Sequence, residues 1–244
     1  KVNQIEITTL ADIPAGTGLG SSSSFAVGLM HALYALKGQY VTKYTLAESA
    51  AQIEINILKR TMGKQDHYAA SYGNLNIFTF QPDESVVVEP VFYQMEVKNT
   101  LDDNLMLFYT KLKRDASEVL KTQNRAISKK RKVLQKMRDL VHPLKDVLSG
   151  KNNVNVFGEI LHKNWMLKKS ITDQVSSAKI DVYYDKAIAA GAIGGKLLGA
   201  GGGGFLLFYV EKKNQNSVRE VLSELYELKF ELDTDGTRIT YYDQ

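Results

Sequence analysis

The sequence predicts an α+β protein with room for one large or two modest domains, on three observations. Strand-like apolar segments and helix-spaced apolar segments share the chain without the regular alternation of a parallel βαβ array. Two glycine-rich runs, at 16–20 and 199–204, adjoin apolar segments, helix-spaced after the first and strand-like around the second. Hydrophobic residues make up 44% of the 244 positions, enough for a sizeable core.

The elements follow in order. Gln4–Leu10 reads as a strand with Ile5 and Ile7 on one face, feeding the first glycine run. Phe25, Leu29, Leu33 and Leu36 then mark a helix closed by Gly38. Thr45 and Glu48 form a T-x-x-E capping box that opens a second helix, with Leu46, Ala50, Ile53 and Ile57 at core spacing. Met62 and Gly63 are expected to end it. Asp66–Tyr72 is a short helix stopped by Gly73, and Leu75–Phe80 a strand closed by Pro82. Val86–Val88 and Leu105–Thr110 are further strands, separated by the polar stretch near Asn99–Asn104, which is the best boundary between residues 1–100 and 101–244. Asp115–Leu140 is a long helix with apolar residues on one side and Lys and Arg on the other. Phe157–Lys169 and Asp181–Ala190 are helices, and Lys196–Leu198 and Phe205–Val210 strand-like flanks of the second glycine run. Ser217–Leu225 is a helix, Leu228–Leu232 a strand, and Thr234–Gly236 a turn into Ile239–Tyr242.

Composition excludes several classes. No stretch approaches the roughly 20 apolar residues of a membrane span, the first residues KVNQIEITTL are not a signal peptide, and mean hydropathy is −0.23. Without cysteine there are no disulfides and no thiolate metal sites, which fits a cytoplasmic protein. His31, His67, His142 and His162 lie far apart with no ligand spacing. A net charge of +4 suits an anionic substrate at least as well as nucleic acid. The basic long helix could bind nucleic acid, but its helical apolar stripe favours a core face with solvated charges, and no aromatic platform accompanies it.

The first glycine run carries the chemistry. Gly16, Gly18 and Gly20 alternate and run into Ser21–Ser24 at a helix start. Glycines permit tight turns and close approach, and a helix beginning behind them aims free N–H groups and its positive dipole end into the loop. That is a phosphate cradle. A plain turn with a serine cap needs neither three alternating glycines nor four hydroxyls. A Walker loop would need Lys where Gly20 precedes Ser21, and a dinucleotide loop would need G-x-G-x-x-G with an acid some twenty residues on. The second run, Gly201–Gly204, sits between apolar segments rather than the polar flanks of a linker, so a close backbone approach is expected there.

Two acids stand out. Glu54 lies beside the apolar stripe of its helix, and Asp66 follows twelve residues later at a turn. Read alone, each could be a solvated carboxylate, or for Asp66 a helix cap. Beside a phosphate cradle they suggest a magnesium ligand and a group for an acceptor hydroxyl, the parts phosphoryl transfer needs.

Together PAGTGLGSS (Pro14–Ser22), GKQD (Gly63–Asp66) with Glu54, and GAGGGGF (Gly199–Phe205) resemble the GHMP small-molecule kinases, which include galactokinase, homoserine kinase and mevalonate kinase. GKQDHYAASYGNLNIF, FYTKLKRDAS, LHKNWMLKKS and GAIGGKLLGAGGGGFLLFY resemble the heptose 7-phosphate kinases among them. The resemblance covers essentially the whole chain. It implies a nucleotide-binding N-terminal βα domain and a C-terminal ferredoxin-like α/β sandwich. Pro14, Ala15, Gly16, Thr17, Gly18, Leu19, Gly20, Ser21, Ser22 and Ser23 would hold ATP, and Ser22 and Glu54 would hold Mg2+. Asp66 would be the base or orienter of the acceptor hydroxyl, and Gly201, Gly202 and Gly203, with Gly204, would line the acceptor region. The implied reaction turns a sugar phosphate, D-glycero-D-manno-heptose 7-phosphate, into its 1,7-bisphosphate. The 7-phosphate then needs cations, for which Arg114, Lys168, Lys169 and Lys196 are the candidates. Neither nucleic acid nor membrane is an implied partner. Alternatives are another sugar-1-kinase of the fucokinase or hexosamine kinase type, or a non-catalytic sugar sensor, although Ser22, Glu54 and Asp66 are all present. The family's usual first motif, P-L-R followed by a glycine cluster and T-D, has no counterpart here, so this chain alone is expected to be poorly folded or inactive.

Overall fold

A computed structural model describes residues 5–14, 16–112 and 116–243. Helix α1 (Ser21–Leu36) follows the first glycine run and stops where Gly38 turns left-handed, at φ 64°. Helix α2 (Lys43–Ala51) passes into a π-helical turn, Gln52–Ile57. Its cap is Thr42, whose Oγ1 accepts from the Thr45 N–H at 3.1 Å, so Thr45 is the third helical residue rather than the cap. Glu48 is thereby freed from the expected box and binds Lys64 Nζ and the Tyr68 hydroxyl. The helical run ends at Ile57, short of Met62, where Lys59 adopts a left-handed φ of 54°. Helix α3 (Gln65–Tyr72) ends at Gly73, and β1 (Asn76–Phe80) pairs antiparallel with β2 (Val86–Pro90).

The polar stretch expected to link strands is helical instead: α4 spans Met95–Asn104 and buries Val97 and Leu101. Those two apolar residues at i and i+4 are the helical signal that its charged neighbours mask. Next come β3 (Leu105–Tyr109), α5 (Ala116–Arg138), α6 (Val141–Leu148), α7 (Asn155–Lys169) and α8 (Ala178–Ala189). Strands β4 (Gly194–Leu197) and β5 (Phe205–Tyr209) bracket the second glycine run. Helix α9 (Gln215–Val221) and β6 (Tyr226–Leu228) complete the set. The last strand therefore ends where it was expected to begin, and 239–242 is irregular.

The larger sheet is antiparallel with order β4-β5-β3-β6. Its inner strand β5 is buried on both faces, which accounts for the unbroken FLLFY. One face packs Phe108, Leu206 and Phe208 with Trp165, Tyr184 and Ile180; Leu101, Leu161 and Tyr209 form a second cluster. A fully buried side chain of this size contributes about 1.5–3 kcal/mol relative to exposure.

Residues 5–10, expected as a strand, are irregular and exposed, with Leu10 at 96% of full exposure. Among the described residues no strand pairs with them, so their backbone groups gain no ladder. No helix among the described residues is long and apolar enough to cross a membrane.

Candidate active site

The two glycine runs meet. Gly18 is left-handed at φ 83°, and a Cβ there would lie 2.9 Å from the Leu198 carbonyl oxygen. Across the seam, a Cβ on Gly199 would come within 2.6 Å of the Gly18 Cα, and one on Gly204 within 2.2 Å of the Thr17 oxygen. Only residues without a Cβ permit this approach. What comes close to the second run is thus the first run itself. Thr17 is buried and braces the turn by donating Oγ1 to the Pro14 carbonyl at 3.0 Å.

Gly20 caps α1 in the left-handed region with no side-chain hydrogen bond, so the first-turn amides of Ser21–Ser23 are left to face the loop. A cleft of about 690 Å³ opens there. Gly16, Gly18, Gly20 and Ser21–Ser23 form one wall, Arg60 and Asp66 another, and Ser117, Leu120, Gly199 and Ala200 a third. Ser23 is fully buried and its hydroxyl has no hydrogen-bond partner.

The π-helical turn carries Glu54 inward to 3% exposure. Such turns widen a helix by one residue and re-aim a side chain, often at functional positions. Oε1 of Glu54 accepts from Ser22 Oγ at 2.8 Å and from Arg60 Nη1 at 2.8 Å. Its Oε2 lies 2.8 Å from His67 Nε2, on a ring with no exposure and an unpartnered Nδ1. Asp66, in the first turn of α3, packs on the glycine loop: a Cβ on Gly20 would lie 3.3 Å from its Cβ and Cγ. Burial pushes the Asp66 carboxyl above the usual carboxylate value; the His67 charge lowers it and the Glu54 charge raises it.

Most expected phosphate-site residues therefore line one cleft, with Asp66 in its wall and Glu54 buried behind Ser22 and Arg60. Pro14, Thr17 and Leu19 do not line the cleft; Pro14 and Thr17 brace the loop through their hydrogen bond. Ala15 and Arg114 lie outside the described residues. Gly201–Gly203 do not reach the cleft: Gly201 and Gly202 pack on Val175, and Gly203 on Leu112. Lys168 donates Nζ to the Gly199 carbonyl and Lys196 donates to Asn164 Oδ1 at 3.3 Å. Burial first, then the neighbouring Lys196 charge, brings Lys168 down to about 8; burial also lowers Lys196. Lys169 is committed elsewhere, to Asp181 at 3.1 Å and to the face of Trp165.

Arg60 and His67 were not expected in the site. His67 had a signal, its place directly after Asp66 on a short helix. Arg60 had none, because the turn that aims it depends on the π-helical register.

No group of three or more His, Cys, Asp or Glu able to hold a metal lies among the described residues. The donors that converge are the Ser22 hydroxyl and the Glu54 carboxylate. This hard, oxygen-only pair suits Mg2+, which takes one or two protein oxygens and completes its shell with phosphate and water.

Residues 1–74 match the GHMP kinases N terminal domain and residues 144–228 the GHMP kinases C terminal domain. The D-glycero-alpha-D-manno-heptose 7-phosphate kinase of Campylobacter jejuni is 29% identical over 94% of this chain and 69% of its own length. The galactokinase of Pyrococcus furiosus is 25% identical over 94% of this chain and 71% of its own. Among solved structures, a D-glycero-D-manno-heptose 1-phosphate kinase from Bacteriodes thetaiotaomicron superposes with a TM-score of 0.66 at 27% identity, covering 95% of this chain and 66% of that one. The chain thus spans about two thirds of the length of these relatives.

Proposed function

The chain belongs to the GHMP kinases, and on that premise we propose that it transfers the terminal phosphoryl group of ATP to the anomeric hydroxyl of a phosphorylated sugar. Its acceptor is a heptose 7-phosphate and its product the 1,7-bisphosphate. The observation that carries this reading is the convergence of Ser22 and Glu54 at the mouth of the glycine loop, with Asp66 packed against Gly20.

The first-turn amides of α1 and the left-handed glycine loop hold the polyphosphate. Ser22 and Glu54 would hold Mg2+, which would supply neutralising positive charge to the phosphate tail. Asp66 faces the acceptor hydroxyl, whose proton passes to the Asp66 carboxylate as the new O–P bond forms and the bond to ADP breaks. Positioning and charge stabilisation carry most of such a reaction. Lys168 and Lys196 have no acid partner among the described residues, which favours an acceptor bearing its own phosphate. The relatives named for heptose phosphates support the same choice. The galactokinase relative supports a second reading, a sugar-1-kinase for free hexoses.

Turnover of heptose 7-phosphate against free hexoses separates the two: faster use of an unphosphorylated sugar removes the heptose reading. Asp66→Ala is expected to lower turnover about 100-fold or more while MgATP still binds. Near-normal turnover in that variant would remove Asp66 from the chemistry.

A further inference from the structure

We infer that Arg60 is a phosphate-contacting residue, whose guanidinium leaves Glu54 as the nucleotide and its metal arrive and takes hold of the terminal phosphoryl group. This rests on the kinase reading above. Arg60 shares the cleft with Gly18, Gly20 and Asp66. Its Nη1 occupies Glu54 Oε1, the same oxygen that accepts from Ser22. When Ser22 and Glu54 hold a divalent cation, that oxygen faces two cations, and their mutual repulsion drives the monovalent one off.

The exchange is balanced at both ends. The Arg60 side chain is 51% exposed, so its guanidinium stays near water, while the buried Glu54 carboxylate takes the divalent cation in its place. Glu54 keeps His67 on its other oxygen. The Arg60 backbone stays put, because its N–H donates to the Glu54 carbonyl at 2.9 Å and the preceding Lys59 turns left-handed. Only the side chain has to swing. The anion waiting within the same cleft is the phosphate tail in the glycine loop, and a planar guanidinium matches two phosphate oxygens at once. The terminal phosphoryl oxygens are also where charge is spread as the group transfers.

Titration calorimetry with MgATP and with MgADP tests this. Arg60→Ala is expected to weaken MgATP binding about tenfold more than MgADP binding, the loss of a charge-assisted contact made only to the terminal phosphate. Arg60→Lys, which keeps the charge, is expected to recover part of that preference. Arg60→Gln, uncharged but able to hydrogen-bond Glu54, serves where the alanine variant melts early. Equal loss for both nucleotides, or no loss for either, overturns the inference and leaves Arg60 as a partner of Glu54 alone. A wild-type chain that is folded, with Trp165 emission at its buried position, yet binds neither nucleotide overturns the kinase reading, and this inference with it.

Discussion

Lys168 shows how one residue's surroundings turn into a pH dependence. Burial and the Lys196 charge disfavour its protonated form and bring it from an ordinary 10.5 to about 8. The charge is present below that value and lost above it. An anionic acceptor held by Lys168 therefore binds more weakly as pH rises through about 8. Stability moves the opposite way: between about 8 and 10.5 the unfolded chain holds a proton that the folded chain has shed, so folding gains as pH rises. The acceptor KM at saturating nucleotide is expected to climb across that range, and Lys168→Gln to raise it at neutral pH and flatten the profile. A wild-type KM that stays level would remove Lys168 from the acceptor site. Asp66 is raised in the other sense, by burial first, so the acid limb of turnover is expected above the usual carboxylate range and absent in Asp66→Asn.

At the level of elements, α2 shows both how much the sequence revealed and where it misled. Thr42, not Thr45, caps the helix. Thr42→Ala is expected to cost about 1 kcal/mol in a denaturant melt, and Thr45→Ala less, since it keeps the backbone bond at the cap and loses only the exposed 2.9 Å hydroxyl contact with Thr42. Equal losses would restore the expected capping box. The spacing of Leu46 and Ala50 found the helix because burial on one face repeats with the helical period. It could not reveal the π-helical turn, since a one-residue widening leaves no mark on that period. Glu54 was legible as an acid beside an apolar stripe, but its depth and its bonds to Arg60 and His67 were not. Strand β5 was legible because it is apolar throughout, and α1 because glycines stand on both sides of it. The helix α4 was missed because charged residues surround its two anchors, Val97 and Leu101. Of the strand expected at Gln4–Leu10, Gln4 lies outside the described residues and 5–10 are irregular for a different reason: strand pattern is local, but a strand exists only where a neighbour takes its hydrogen bonds.

Across the whole molecule, the seam between the two glycine runs determines whether the site exists at all. Residues near the start supply the phosphate loop, Glu54 and Asp66, while β4, β5 and the run between them supply the opposing wall. The two come together where Gly18 meets Leu198 and Gly199, and where Gly204 meets Thr17. A methyl group at Gly18 would require a left-handed φ of 83° and a 2.9 Å approach to the Leu198 oxygen. The backbone conformation alone costs about 1–2 kcal/mol, and the clash is relieved only by moving the loops apart. None of the buried side chains of the Trp165 cluster lies on either loop, and that cluster meets the second run through the backbone of Val175 and Leu112. The single tryptophan, Trp165, reports on that core, where it has no exposure. Gly18→Ala is accordingly expected to lower MgATP affinity about tenfold or more while tryptophan emission stays at the buried, blue-shifted position. A red shift accompanying the loss of binding would mean that the seam holds the fold together as well as the site. Unchanged binding would mean that the phosphate cradle works without its opposing wall.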